Sequence, residues 1–134
     1  MIAYFQRVFL DSRGASAIEF ALVTPIVLSL LTGAFGMANY LSVQNALNSA
    51  VDEASRYATL DPTPSDAQLK KRFEERLTRN LKSGKVTFTP TRGSASSTVN
   101  WINLEASYPV YVDIAFVSVG PIKATSEKRV YISL

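Results

Sequence analysis

One long stretch without charge constrains this chain more than any other feature of its sequence. No Asp, Glu, Lys or Arg occurs between Glu19 and Asp52, although the chain of 134 residues has 14 basic and 11 acidic side chains. From Phe20 to about Leu41 the residues are mostly apolar. About 20 such residues in an α-helix cross the roughly 30 Å hydrocarbon core of a membrane. A buried helix in one small domain rarely runs so far without charge, so the sequence predicts a membrane-spanning helix. The mildly polar exceptions are Thr24, Ser29, Thr32 and Asn39.

Three residues inside the predicted span have special backbone properties. Pro25 would break a soluble helix, but it is tolerated near the beginning of a membrane helix. Gly33 and Gly36 offer small surfaces that another helix could approach closely. Their spacing is not that of a GxxxG motif, so no specific dimer contact is predicted there.

A cleaved secretory signal peptide is an alternative interpretation of the same segment. Arg7 could supply its charged beginning, and the small residues Gly36 and Ala38 weakly resemble a cleavage site. The apolar run, however, exceeds the usual ~7–15 residues of such a signal. The preceding segment is also long for one. The span is therefore the favoured interpretation.

The charges beside the span predict its orientation. Arg7 and Arg13 stand against Asp11 before it, whereas the flank after it begins with Asp52, Glu53 and Arg56. Basic residues are retained on the cytoplasmic side of a membrane. The N-terminus is therefore expected in the cytoplasm and the C-terminal head outside it.

The composition disfavours several classes of function. The chain has no Cys and no His, so disulfides, thiolate metal sites and the usual general bases are missing. Carboxylate pairs and Ser–Lys dyads leave an enzyme conceivable, but we expect no catalytic residue, cofactor, metal or small-molecule substrate. The net charge of +3 comes without a basic run, which gives nucleic-acid binding little support.

Glu19 lies near the edge of the apolar segment. A carboxylate at the bilayer centre costs about 2.5–3.5 kcal/mol and less near an interface. The simplest interpretation is that Glu19 marks the interface, favoured by the helix N-terminus. Its neighbours suggest more, because Gly14 stands five residues before it and Phe20 directly after it.

The segment RGASAIEF, residues 13–20, resembles the processing site of type IV prepilins and their relatives. In those proteins a membrane peptidase cuts after the glycine, and Glu is the fifth residue of the mature chain. The resemblance implies a leader at residues 1–14 and a new N-terminus at Ala15. The new amine could then pair with Glu19 of a neighbouring subunit, setting the register between helices.

The longer segment from Gly14 to Ala58 is similar to the N-terminal part of TadE-like proteins, pseudopilin-like components of the tight-adherence (Tad, or Flp) pilus system. The similarity lies in Glu19-Phe20-Ala21-Leu22, in Pro25 and in the ending EASRYA. A further charged residue that many members carry near the far end of the span is absent. The resemblance implies a single-pass inner-membrane protein in pilus assembly or a minor pseudopilin, without enzymatic activity. Its implied partners are the prepilin peptidase, other pilin subunits and the Tad machinery.

Helical periodicity continues beyond the span. One stripe of small and apolar residues could rest on the head's own sheet, which we favour, or on neighbouring subunits; it comprises Ala46, Leu47, Ala50, Val51, Ala54 and Ala58. Prolines after Asp61 are expected to end this helix. A second helix is predicted with Thr63 as its cap, Pro64 at its first position and Gly84 as its stop. Its apolar stripe is Leu69, Phe73, Leu77 and Leu81.

From Lys85 the apolar period changes to two, which predicts strands. The first is expected to close at Pro90, followed by a flexible connection at 91–98, and Gly120-Pro121 is expected to turn the chain. The inward residues are expected to be Val86, Phe88, Ile102, Leu104, Ala106, Val110, Val112, Ile114, Phe116, Val130 and Ile132. We therefore predict an α+β fold with a pilin-like layout, in which a second helix packs on an antiparallel sheet of about four strands. The expected units are the leader 1–14, the long helix 15–59 and the exported head 60–134.

Exposed aromatics on the strands suggest a different class of function. Trp101, Tyr108, Tyr111 and Tyr131 could form a stacking surface, although sheet packing explains such residues more often. The alternative to a pilus component is thus a membrane-tethered module that binds a polysaccharide or an envelope partner. Glu105 and Asp113 are expected at solvent-facing strand positions, without a catalytic role.

Overall fold

The computed structural model describes residues 12–61, 63–77, 81, 85–114 and 117–133. The described residues form two helices followed by one antiparallel sheet in the order β1-β2-β3. The elements are α1 (Ser12–Leu60), α2 (Asp66–Leu77), β1 (Thr87–Ser94), β2 (Val99–Ile114) and β3 (Val117–Ser133). The α+β class and the order of helices before strands agree with the prediction.

Helix α1 is a single element of 49 residues with two different surroundings. Between Gly14 and Leu41 its residues are exposed or half-buried, whereas from Val43 onward one face is buried. The helix ends at Leu60, as predicted, because a residue that precedes proline disfavours the helical conformation. Asp61 then accepts a hydrogen bond from the Thr63 amide at 3.0 Å, which starts the turn.

The small-residue stripe on α1 packs against the head of its own chain. Ala50, Ala54 and Ala58 have no exposed surface, and Leu47 on the same face is equally buried. Small side chains let the backbone of the helix approach the strands and α2 closely. The structure therefore confirms the favoured interpretation of this stripe as core.

Helix α2 begins at Asp66, two residues after Pro64, which was predicted to be its first residue. Ser65 Oγ accepts a hydrogen bond from the Gln68 amide at 3.3 Å, and Gln68 Oε1 accepts one from the Ser65 amide at 2.9 Å. This reciprocal capping box satisfies two amides at once, so the prediction of Thr63 as the cap was wrong. Leu69, Phe73 and Leu77 are buried as predicted, whereas Gly84 lies outside the described residues.

The sheet described here has three strands where about four were expected. The two short strands predicted around Leu104 and Val112 are one continuous strand, β2, of 16 residues. Pro109 does not interrupt β2. Strand β1 pairs with β2 only as far as Ser107, so Pro109 lies beyond the end of that pairing. Beyond that point no described strand pairs with this edge of β2, and a residue without an amide hydrogen is tolerated there.

The strand ends also differ from the predictions made at proline and glycine. β1 runs through Pro90 to Ser94 as an edge strand, so the turn is confined to residues 95–98. Gly120-Pro121 lies inside β3, opposite a register shift between Val110 and Val112. The irregular pairing accommodates the positive φ of Gly120 without reversing the chain. The described part of β2 instead continues to Ile114, and β3 begins at Val117. Phe116 lies outside the described residues.

The core lies between α1, α2 and the inner face of the sheet. Ile102, Leu104 and Ala106 are buried as predicted, as are Val110, Val130 and Ile132. Phe73 of α2 stacks on Phe88 of β1, with ring centroids 4.3 Å apart. These residues bind the second helix and the edge strand into the same core.

Truncation of Phe73 should therefore destabilise the head strongly. We expect Phe73→Ala to lower the free energy of unfolding by about 3–5 kcal/mol, because a large buried ring is replaced by a cavity. Urea unfolding of the detergent-solubilised chain, followed by Trp101 fluorescence, measures this. Leu60→Ala is the control, since Leu60 is 82% exposed at the end of α1. Equal losses in the two variants would contradict this location of the core.

Candidate functional site

The N-terminal end of α1 contains the residues predicted to direct processing and assembly. Gly14, Ala15, Glu19 and Phe20 all lie within the helix and are exposed. Ala15 and Glu19 are four residues apart, so they lie on the same face, one turn from each other. A carboxylate in this position is open to a group from another molecule.

The hydroxyl side chains of the apolar segment donate hydrogen bonds to backbone carbonyls of the same helix. Thr24 Oγ1 donates to the Phe20 carbonyl at 2.6 Å, and Ser29 Oγ donates to the Pro25 carbonyl at 2.7 Å. Thr32 Oγ1 donates to the Leu28 carbonyl in the same way, at 2.8 Å. No water is needed for these groups, so they are compatible with hydrocarbon surroundings. Pro25 lies inside the helix without ending it.

The most apolar part of α1 is not buried by the rest of the described chain. Its most apolar window of 18 residues has a mean hydropathy of 1.9, and none of that window is buried. Phe20 is 73% exposed and Phe35 76% exposed. A core helix of a soluble domain would bury such side chains. Helix α1 is thus a candidate membrane span with its apolar surface available to lipid.

The two glycines of the span have different surroundings. A Cβ at Gly36 would overlap Cγ1 of Val112 in β2, whereas a Cβ at Gly33 would meet nothing within 4 Å among the described residues. The group that approaches Gly36 therefore comes from a strand of the same chain. The sequence offered no signal for this contact, because it joins segments far apart in the chain.

Helix α1 contains a segment that is similar to a known protein family. Residues 14–56 match the family model described as TadE-like protein. The N-terminal segment of this chain is TadE-like. The match agrees with the resemblance inferred from the residues around Glu19 and Pro25. It begins at Gly14, the glycine of the predicted processing site.

The TadE-like segment covers roughly a third of the chain. It includes the exposed apolar part of α1 and most of its buried continuation, ending at Arg56. Helix α2 and the sheet lie outside it. No curated protein and no solved structure is significantly similar to the chain.

The outer face of the sheet carries Trp101 and Tyr131, two of the four aromatic residues that could form a stacking surface. Trp101 pairs with Gly93 on one side and Tyr131 on the other. The guanidinium of Arg129 lies over the Trp101 ring, 4.6 Å from its centroid. A cavity of about 360 Å³ lies beside Trp101, bordered also by Arg92. The Trp101 ring therefore packs largely against neighbouring residues of the sheet itself.

The other two aromatics do not join this surface. Tyr108 packs against the core, and Tyr111 lies 53% exposed at the register shift of β2. Glu105 and Asp113, eight residues apart along one strand, are about 25 Å from each other. The four aromatics thus form no single stacking surface, and the two carboxylates form no pair.

Polar contacts between α1 and β3 fix the head against the helix. Gln44 Nε2 donates to the Thr125 carbonyl at 2.6 Å, and the Lys128 ammonium pairs with Asp52. These residues were not singled out from the sequence, because nothing local marks a contact over such a separation. They set the register between the long helix and the last strand.

Gly93→Ala tests the close packing of Trp101. A Cβ at Gly93 would overlap the indole ring, so we expect Trp101 to be displaced from Arg129 and more exposed to water. The emission of Trp101, the single tryptophan of the chain, should shift to longer wavelength, with a loss of about 1–3 kcal/mol in stability. Gly33→Ala is the matched control, since the described chain leaves the space around Gly33 open. An unchanged emission spectrum in Gly93→Ala would contradict the contact.

Proposed function

We propose that this protein is a structural or assembly component of a Tad-type pilus, a minor pseudopilin held in the inner membrane by α1. The observation that carries the proposal is the TadE-like match of residues 14–56 on a helix whose apolar surface is exposed. In this proposal the N-terminus is cytoplasmic and the head lies outside the cytoplasm. The other pilus subunits and the assembly machinery are its partners.

The proposal includes cleavage between Gly14 and Ala15 by a prepilin peptidase. The sequence RGASAIEF supports this, as does a family match that begins at Gly14. Gly14 is exposed, and no described side chain comes within 4 Å of a Cβ position there. A peptidase in the membrane could therefore reach this peptide bond without displacing the head. The leader before Ser12 lies outside the described residues.

Glu19 then acts after cleavage. Processing creates an ammonium group at Ala15, and packing of neighbouring helices with a stagger of one turn would bring it to a Glu19 carboxylate. Such a pair is strong in low dielectric, but its desolvation offsets much of the gain. The pair therefore selects the register between subunits more than it stabilises them.

The proposed role is mechanical and involves no catalysis. The chain lacks His and Cys, and its two candidate strand carboxylates lie far apart. The binding-module alternative has less support, since Trp101 is engaged by Arg129 and Gly93 within the sheet. Pilus assembly is the function that the TadE-like segment favours.

Mass spectrometry of the membrane-extracted protein tests the processing step. In cells with an active prepilin peptidase, the chain should begin at Ala15. Gly14→Leu should keep the full leader, because it replaces the glycine after which the proposed cut is made. Gly33→Leu serves as the control, as it changes a glycine away from this bond. A wild-type chain that still begins at Met1 in such cells would contradict the proposal.

Replacement of Glu19 separates anchoring from assembly. Glu19→Ala should insert normally in the membrane, but its association with pilus subunits should fall by about tenfold or more, corresponding to at least ~1.4 kcal/mol. Co-purification with the pilus subunits and counts of surface pili measure this loss. Glu53→Ala is the control, since Glu53 is an exposed acid of α1 beyond the apolar segment. Unchanged piliation in Glu19→Ala would mean that Glu19 only marks the interface.

A further inference from the structure

The β2–β3 hairpin extends beyond the end of the three-stranded sheet. β1 pairs with β2 only up to Ser107, whereas β2 and β3 remain paired as far as Ile114 and Val117. We call the two-stranded part the hairpin arm; it comprises residues 109–114 and 117–123. Within the described chain both of its edges are open, so its surroundings differ from those of the sheet.

One face of the hairpin arm is entirely apolar. Directly opposed residues in an antiparallel pair share a face. The apolar face consists of the pairs Val110–Ile122, Val112–Val119 and Ile114–Val117. The opposite face carries Asp113, whose carboxylate accepts a hydrogen bond from Ser118 Oγ. The arm is therefore amphipathic at the level of Asp113 and Ser118.

Three contacts show the direction in which the hairpin arm points. Lys128 of β3 lies at Asp52, Thr125 lies at Gln44, and Val112 of the arm lies at Gly36. Successive contacts therefore move down α1 toward its N-terminus, which is the direction of the candidate membrane span. Gly36 is about 7 Å inside the end of the apolar segment at Leu41.

The apolar face of the arm and the apolar surface of α1 lie side by side. They enclose a cavity of about 330 Å³, lined by Gly33, Met37, Tyr40, Val112, Ile114, Val119 and Ile122. Among the residues that line this cavity, Met37 on the helix is 58% exposed, and Val119 on the arm is 44% exposed. Two separate elements thus expose apolar side chains at the same height, as expected where both meet lipid.

We propose that the end of the hairpin arm at Ile114 and Val117 inserts into the membrane interface beside α1, as a second membrane contact of the head. Its apolar face, including Val117 and Val119, contacts acyl chains, while Asp113 and Ser118 face the headgroups. The occupant of the groove between the arm and α1 is therefore phospholipid. This inference rests on the membrane anchoring included in the proposed function.

The chemistry of the arm limits how deeply it inserts. Unpaired strand edges are not tolerated in the hydrocarbon core, and a carboxylate becomes more costly with depth. An amphipathic element lying about 5–10 Å into the boundary of headgroups and acyl chains meets neither penalty in full. The arm is thus seated in the interfacial layer and does not cross the bilayer.

Depth-dependent fluorescence quenching tests this insertion. The chain has no Cys, so single-Cys variants carry one environment-sensitive dye each. Val117→Cys and Val119→Cys report on the apolar face, and Ala38→Cys reports on α1 near the same level. The full chain is placed in phosphatidylethanolamine–phosphatidylglycerol vesicles with nitroxides at the headgroup or along the acyl chain. We expect both arm labels to be blue-shifted and to lose emission to shallow nitroxides as strongly as Ala38→Cys does.

Two controls define the result that would overturn the proposal. Thr98→Cys, in the turn between β1 and β2, should remain unquenched, whereas Leu30→Cys should be quenched by deep nitroxides. Quenching of Leu30→Cys with arm labels that resemble Thr98→Cys would overturn the arm insertion alone. Blue-shifted arm labels that no nitroxide quenches would overturn it as well, because the labels would then be shielded by protein and not by lipid. An unquenched Leu30→Cys would overturn the membrane anchor and the arm insertion together.

Discussion

The packing of α1 against the sheet is the contact on which the rest of the head depends. A short helix and three strands present one apolar face, and α1 covers it with its small residues from Ala46 to Ala58. Without this helix the buried Leu104 and Phe73 would lose part of their enclosure. Because the same helix continues as the exposed apolar segment, the candidate membrane span and part of the core belong to one continuous element. A displacement of the apolar segment would therefore reach the head without an intervening loop.

Much of this arrangement follows from local patterns in the sequence. The charge-free segment predicted the long helix, Asp61 before a proline predicted its end, and alternation predicted the buried Ile102 and Leu104. These features depend on neighbouring residues, whose spacing decides which face is apolar. The TadE-like resemblance was likewise readable, because it rests on a contiguous segment that includes Glu19 and Pro25.

The errors arose where the partner of a residue decides its structure. Pro90 was expected to close a strand, yet it lies inside β1, which has one edge that no described strand pairs with, and strand order cannot be read locally. Gly120-Pro121 has the composition of a turn, but its long pairing with β2 keeps it inside a strand. The contact between Gly36 and Val112 was missed for the same reason, since it joins segments distant in sequence.

The position of the hairpin arm also bears on the environment of Glu19. If the arm lies in the interface, the outer edge of the hydrocarbon core falls between Gly36 and Leu41. About 20 helical residues span that core, so its inner edge falls roughly between Ala17 and Leu22. Glu19 is then at or just inside that edge, where water no longer solvates the carboxylate fully. A carboxylate in this position gains from an ammonium partner, so the depth set by the head favours the pairing proposed at the other end of the helix.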